Sequence, residues 1–146
     1  MKKIFLLSCW LLAINFARAD KPEYSVDLIP SHLLENSVAV VRLNAQHYQV
    51  LDKGKAIETQ VYVITILKRK ASALATFGVS YDKLIKIKKL EGRAYDRMGK
   101  EIRRFKNSDI KDESSISSFS LFEDNRVQYI DYTPPVYPIT LEFEVE

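Results

Sequence analysis

The sequence predicts an all-β protein, an antiparallel β-sandwich with only minor short helices, and three observations carry that prediction. First, Val38–Leu51 and Ala56–Lys68 are rich in Val, Ile, Tyr, Thr and Leu, residues suited to a pleated, half-buried surface. Asp52-Lys53-Gly54-Lys55 joins them as a turn, so they form a hairpin that needs a second layer to be stable in water. Second, Ile139, Leu141, Phe143 and Val145 alternate with Thr140, Glu142, Glu144 and Glu146 in period two, the pattern of a strand with one apolar face. Third, Leu84–Ala94, Lys100–Phe105 and Arg126–Tyr132 read as further strands.

Taken in order, the chain opens with an address. Lys2 and Lys3 precede the apolar run from Ile4 to Phe16, and Ala17-Arg18-Ala19 supplies the small-x-small pattern of a signal-peptidase site. The run is shorter than the ~20 residues a bilayer requires, so a cleaved signal is expected rather than a membrane anchor. Leu6-Leu7-Ser8-Cys9 has a passing likeness to a lipoprotein signal, but a very apolar tail would follow the modified Cys. Cleavage before Asp20 takes 19 residues from 146 and leaves 127, the size of one domain. It also removes Lys2, Lys3 and Arg18, leaving 19 Lys plus Arg against 19 Asp plus Glu. The basic pI of about 8.9 therefore describes the precursor and gives no support to a nucleic-acid partner. No transmembrane span is expected after cleavage, and the expected location is the periplasm or the cell surface.

The single Cys, Cys9, falls inside the signal, so the exported chain has no thiol and no disulfide. That excludes thiolate catalysis and Cys-based zinc sites, and leaves stability to an ordinary hydrophobic core. Residues Tyr24 to Ile29 read as an extended lead, and Pro30-Ser31 opens a brief helical turn with Ser31 as N-cap. After the central hairpin, residues 61 to 67 are apolar on both faces, the mark of a strand covered on both sides. Lys68-Arg69-Lys70 leads into one short helix that Gly78 is expected to stop. Leu84–Ala94 and Lys100–Phe105 then read as a further hairpin around Tyr95-Asp96-Arg97-Met98-Gly99. Asn107-Ser108-Asp109 is expected to cap a turn at Ile110, and Ser114 to Ser120 reads as a loop. Arg126–Tyr132 and Ile139–Glu146 are strands, with Pro134-Pro135 and Pro138 restricting the link between them. The alternation reaches Glu146 with no turn or polar tail, so a longer protein, continued beyond this residue, is expected.

Chemistry-bearing patterns are few. Glu142, Glu144 and Glu146 share one strand face, and paired carboxylates serve glycoside hydrolysis, but a charged stripe opposite an apolar one is what any half-exposed strand shows. Asp109, Asp112 and Glu113 lack the Gly and terminal Glu of a calcium loop, and His32 and His47 have no partner at ligand spacing, so no metal is expected. Four glycines, at 54, 78, 92 and 99, form no phosphate-cradling loop, and no G-x-S-x-G occurs, so neither cofactor nor catalytic residue is expected. Charge segregates. Lys68 to Lys111 carries 14 basic and five acidic residues, whereas Asp112 to Glu146 carries one basic and eight acidic. Neighbouring strands pairing their exposed faces account for this, and a Lys-rich contact face including Lys86 and Lys88 is the functional alternative. Tyr129, Tyr132 and Tyr137, with Phe119 and Phe122 nearby, are the aromatic candidates for a glycan or peptide contact, against the alternative use as sandwich core.

The order of these motifs resembles a known family. Ile29-Pro30, Val38-Ala39-Val40-Val41, Tyr48-Gln49-Val50, Tyr81-Asp82-Lys83, Lys86-Ile87-Lys88, Gly92-Arg93-Ala94-Tyr95-Asp96, Met98-Gly99-Lys100 and Asp109-Ile110-Lys111-Asp112 carry the likeness, over roughly residues 24 to 146. The family is the bacterial exported domain of unknown function that precedes transglutaminase-like domains. The resemblance implies an immunoglobulin-like β-sandwich that is itself non-catalytic, followed in the same chain by a papain-like Cys-His-Asp domain and a further β-domain. Arg97-Met98-Gly99 stands where such domains commonly carry Pro-Asp-Gly.

Overall fold

The computed structural model describes residues 23–115 and 125–146. The segment read as a signal peptide, Phe119, Phe122 and most of the stretch from Ser114 to Ser120 that the sequence predicts as a loop lie outside them. Two antiparallel sheets face one another. Sheet A has five strands in the order β1-β2-β8-β4-β5, and sheet B has three in the order β3-β7-β6. Their ranges are β1 Ala39–Asp52, β2 Lys55–Ile66, β3 Thr76–Tyr81, β4 Leu90–Tyr95, β5 Glu101–Arg104, β6 Ile110–Ser114, β7 Arg126–Asp131 and β8 Ile139–Val145. This is the predicted all-β sandwich.

The central hairpin forms as the sequence indicates, with Gly54 at φ +73°, a left-handed conformation that L residues rarely adopt. The proximal half of β2 is buried on both faces: Val63, Ile64, Thr65 and Ile66 are almost fully inaccessible. Ile64 and Ile66 join the inter-sheet core, while Thr65 faces the other way and shares a 2.8 Å hydrogen bond with Thr140. β8 lies at the centre of sheet A and sends Ile139, Leu141, Phe143 and Val145 into the core, against Phe77 and Ile130 from sheet B. Gly92 of β4 lets these layers close. A Cβ there would stand 2.8 Å from Phe105 Cδ2, 3.0 Å from Ile130 Cδ1 and 3.2 Å from Phe143 Cδ1.

Several local readings are corrected. Gly78 stops no helix. A kinked 3-10 segment, Arg69–Ala75, ends before it, and Gly78 sits inside β3 opposite Tyr129, whose Cβ would lie 3.3 Å from a Cβ added at the glycine. Residues 110–114 are a strand rather than a turn, because pairing with β7 outweighs the low strand propensity of Lys, Asp and Glu. Residues 84–89 are irregular rather than the start of β4. Asp82 Oδ1 accepts the backbone N–H groups of Leu84 (2.7 Å) and Ile85 (3.0 Å), turning the chain off any ladder. Residues Val26–Leu28 form a 3-10 turn instead of an extended lead, and Pro30, not Ser31, occupies the N-cap of the short helix α1, Ser31–Leu34.

Candidate functional site

Two places concentrate polar chemistry or open space. The first lies on the outer face of sheet A. The β4–β8 register sets Arg93 opposite Glu142 and Ala94 opposite Leu141, so Tyr95 falls beside Glu142 on the same face. Glu142, whose side chain is 15% exposed, accepts hydrogen bonds from Tyr24 OH (3.0 Å), Tyr95 OH (2.6 Å) and Arg93 Nη1 (3.2 Å). Burial first, and then the Glu142 hydrogen bond, push the Tyr95 phenol up to about 12, and the same causes raise Tyr24. The two tyrosine rings meet edge to face at 4.8 Å. Such a carboxylate, tyrosine and arginine cluster could perform acid–base chemistry if a substrate could reach it. The leading segment lies across it instead: Tyr24 donates to Glu142, Val26 N–H donates to Arg97 O at 3.0 Å, and the Arg42 guanidinium donates to the carbonyls of Ser25 (3.0 Å) and Glu23 (3.2 Å). Glu142 therefore clasps the leading segment to the sheet.

The second place is the open side of the sandwich. Sheet B is shorter than the β1–β2 hairpin, so among the described residues no strand faces the inner side of the distal hairpin. Residues 84–88 run past it instead and enclose a groove of about 290 Å³. Tyr48, Ala56 and Glu58 form one wall, Leu84, Ile85 and Lys86 the other, and Val145 and Glu146 the end. Leu84 is 92% exposed, Tyr48 63% and Ile85 55%, so the walls are apolar and bare. Lys88 closes the end by an ion pair with Glu146 (3.1 Å) and by its backbone N–H to Glu146 O (2.7 Å). A second depression of about 480 Å³, lined by Lys88, Lys89, Asn107, Asp112 and Gln128, lies between β4 and β6.

Of the residues picked out by sequence, Lys86 and Lys88 thus stand at the first groove. The three tyrosines are not gathered into one platform. Tyr129 donates to Glu113 at 2.6 Å with Lys111 over its ring, Tyr132 packs edge to face on Phe105 under Arg103, and Tyr137 lies beside Arg69 before Pro138. Tyr132 and Tyr137 pack against the core, the structural use anticipated for them. Leu84 and Ile85, the most exposed apolar pair at the groove, read in sequence as the start of a strand and not as a contact surface. Their signal is two adjacent apolar residues, which a strand with one buried face cannot both bury.

The segregated charges meet across strands. Arg93 pairs with Glu142 at 3.2 Å and Lys111 with Asp131 at 3.4 Å, whereas Arg126 and Asp112, both from the acidic stretch, pair with each other at 2.8 Å. Glu91 and Glu144 stand directly opposite one another, and Lys89 bridges both at 3.6 and 2.9 Å. No three His, Cys, Asp or Glu side chains among the described residues converge as a metal site, and no described helix is long and apolar enough to cross a membrane.

No curated protein and no solved structure matches the chain at a significant level. Residues 52–146, more than half of the chain, match the family described as a domain of unknown function with a solved structure (DUF3857). The match begins at the hairpin turn and takes in β2 to β8, including Gly92, Glu142 and the wall formed by residues 84–88. On this match the chain belongs to the DUF3857 family of domains of unknown function.

Proposed function

We propose that this chain is the non-catalytic, exported N-terminal β-sandwich of a transglutaminase-like protein, and that it positions the downstream catalytic domain or its substrate through the groove walled by residues 84–88. The observation that carries this reading is the groove itself, whose walls expose Leu84, Ile85 and Tyr48 and whose end is formed by Val145 and Glu146. Exposed apolar walls of this kind are what an interdomain contact uses. The clasped state of Glu142 supports the non-catalytic part of the reading.

The test has two steps. The reading frame beyond codon 146 is expected to encode a domain with a Cys followed by His and Asp. That domain, added in trans, is expected to bind the chain in a calorimetric titration, and Leu84→Asp with Ile85→Asp to weaken binding at least about tenfold, the equivalent of ~1.4 kcal/mol. A frame that closes at Glu146, or a following domain without that triad, overturns the proposal. Saturable binding of a cell-wall peptide or polysaccharide, abolished by the same two substitutions, would reassign the groove to a glycan or peptide ligand.

A further inference from the structure

We infer that β1 is a homodimerisation edge, pairing antiparallel with the β1 of a second copy about a two-fold axis at His47. β1 is the outermost strand of sheet A, and among the described residues nothing pairs with its free edge. Natural proteins protect such edges with charge, proline, bulges or brevity. Here β5 and β6 carry charged side chains, and β3 has only six residues. β1 has fourteen, and from Leu43 to Leu51 none is Lys, Arg, Asp, Glu or Pro. Register irregularities fall between Val41 and Leu43 and between Val50 and Asp52, so the regular run is Leu43 to Val50 and Leu51 stands at the second irregularity.

The missing charge is what points to a second copy rather than a foreign strand. Elsewhere this chain joins strands through opposite charges, such as Arg93 with Glu142. A strand meeting a different partner can do the same. In a two-fold pairing every side chain answers to its own kind on the other copy, and a charge near the axis would confront itself. A charge-free edge meets that requirement.

The side chains fit the same axis. Centring on His47 sets Leu43 opposite Leu51 of the second copy, twice by symmetry, on the outer face. On the inner face it sets Tyr48 diagonally across from the other Tyr48, within the reach of aromatic side chains. Tyr48 and Leu51 are 63% and 54% exposed in the single chain, and pairing would cover them. The two five-stranded sheets would become one of ten. This inference rests on β1; it shares Tyr48 with the groove wall but uses none of residues 84–88, and the His47 variants below leave Tyr48 unchanged.

Sedimentation velocity over a concentration series, with His47 variants, tests it. The wild-type chain is expected to shift reversibly to twice the mass of one chain. His47→Lys and His47→Glu, at an exposed position, are each expected to weaken dimerisation at least about tenfold, because like charges then face each other across the axis. An equimolar mixture of the two variants is expected to restore it. His32→Lys, the same change on exposed α1, is the control and is expected to dimerise as wild type. A wild-type chain that stays monomeric up to about 1 mM, the limit of weak association, overturns the inference. So does a dimer indifferent to both His47 variants, or a mixture that fails to recover.

Discussion

Glu142 carries more of the structure than its neighbours on the same strand face. It accepts two phenols and a guanidinium, whereas Glu146 makes one exposed ion pair with Lys88. Glu142→Ala strands three donors together on a half-buried face and is expected to lower unfolding free energy by about 2–4 kcal/mol in urea titration. Glu146→Ala is expected to cost less than about 1 kcal/mol. The linked pH dependence has a definite sign. Tyr95 rises from about 10 unfolded to about 12 folded, so the folded state favours the neutral phenol. Its contribution is complete below pH ~10 and is lost as pH climbs through about 12. Tyr95→Phe is accordingly expected to flatten the fall in stability between pH 10 and 12 relative to wild type; an unchanged slope would contradict the clasp. Period-two alternation showed which face Glu142 occupies. It could not show the clasp, because Tyr24 lies 118 residues away and nothing local reports it.

Among the elements, the β4–β8 pair at the middle of sheet A fixes how closely sheet B can approach. Gly92→Ala is expected to destabilise by about 1–3 kcal/mol by overpacking, since the new methyl meets Phe105, Ile130 and Phe143 at once. Gly78→Ala, whose Cβ would meet nothing nearer than Tyr129 Cβ at 3.3 Å, is the milder comparison in the same thermal melts. β2 and β8 were legible because their apolar residues keep strict register with the buried faces. β3 and β6 were not. β6, five residues of which four are polar, has no strand signal of its own and is held by β7; β3 has one, Phe77, Val79 and Tyr81 in period two, but Gly78 in its middle reads as a helix stop. Residues 84–89 failed for the opposite reason: Leu84, Ile85 and Ile87 look like strand, but the Asp82 side chain captures the backbone that a ladder would need.

At the scale of the molecule, a two-layer sandwich with a hairpin longer than its facing sheet must leave part of one inner face uncovered. Residues 84–88 cover it only in part, and the groove, its exposed Leu84 and Ile85, and the end of β8 all follow from that mismatch in length. The charge asymmetry along the chain announced the cross-strand ion pairs, but the groove was invisible in sequence because strand lengths on two sheets must be compared to find it. Leu84→Asp with Ile85→Asp touches no core residue and is expected to change folding stability by less than about 0.5 kcal/mol. The most direct measurement is an amide chemical-shift titration of the chain with the domain encoded downstream. Shifts confined to residues 84–88, 145 and 146 and to the Tyr48 wall, and lost in the double variant, are the predicted result. Shifts centred instead on Tyr129 or Tyr137, or none at saturating domain, would contradict the account.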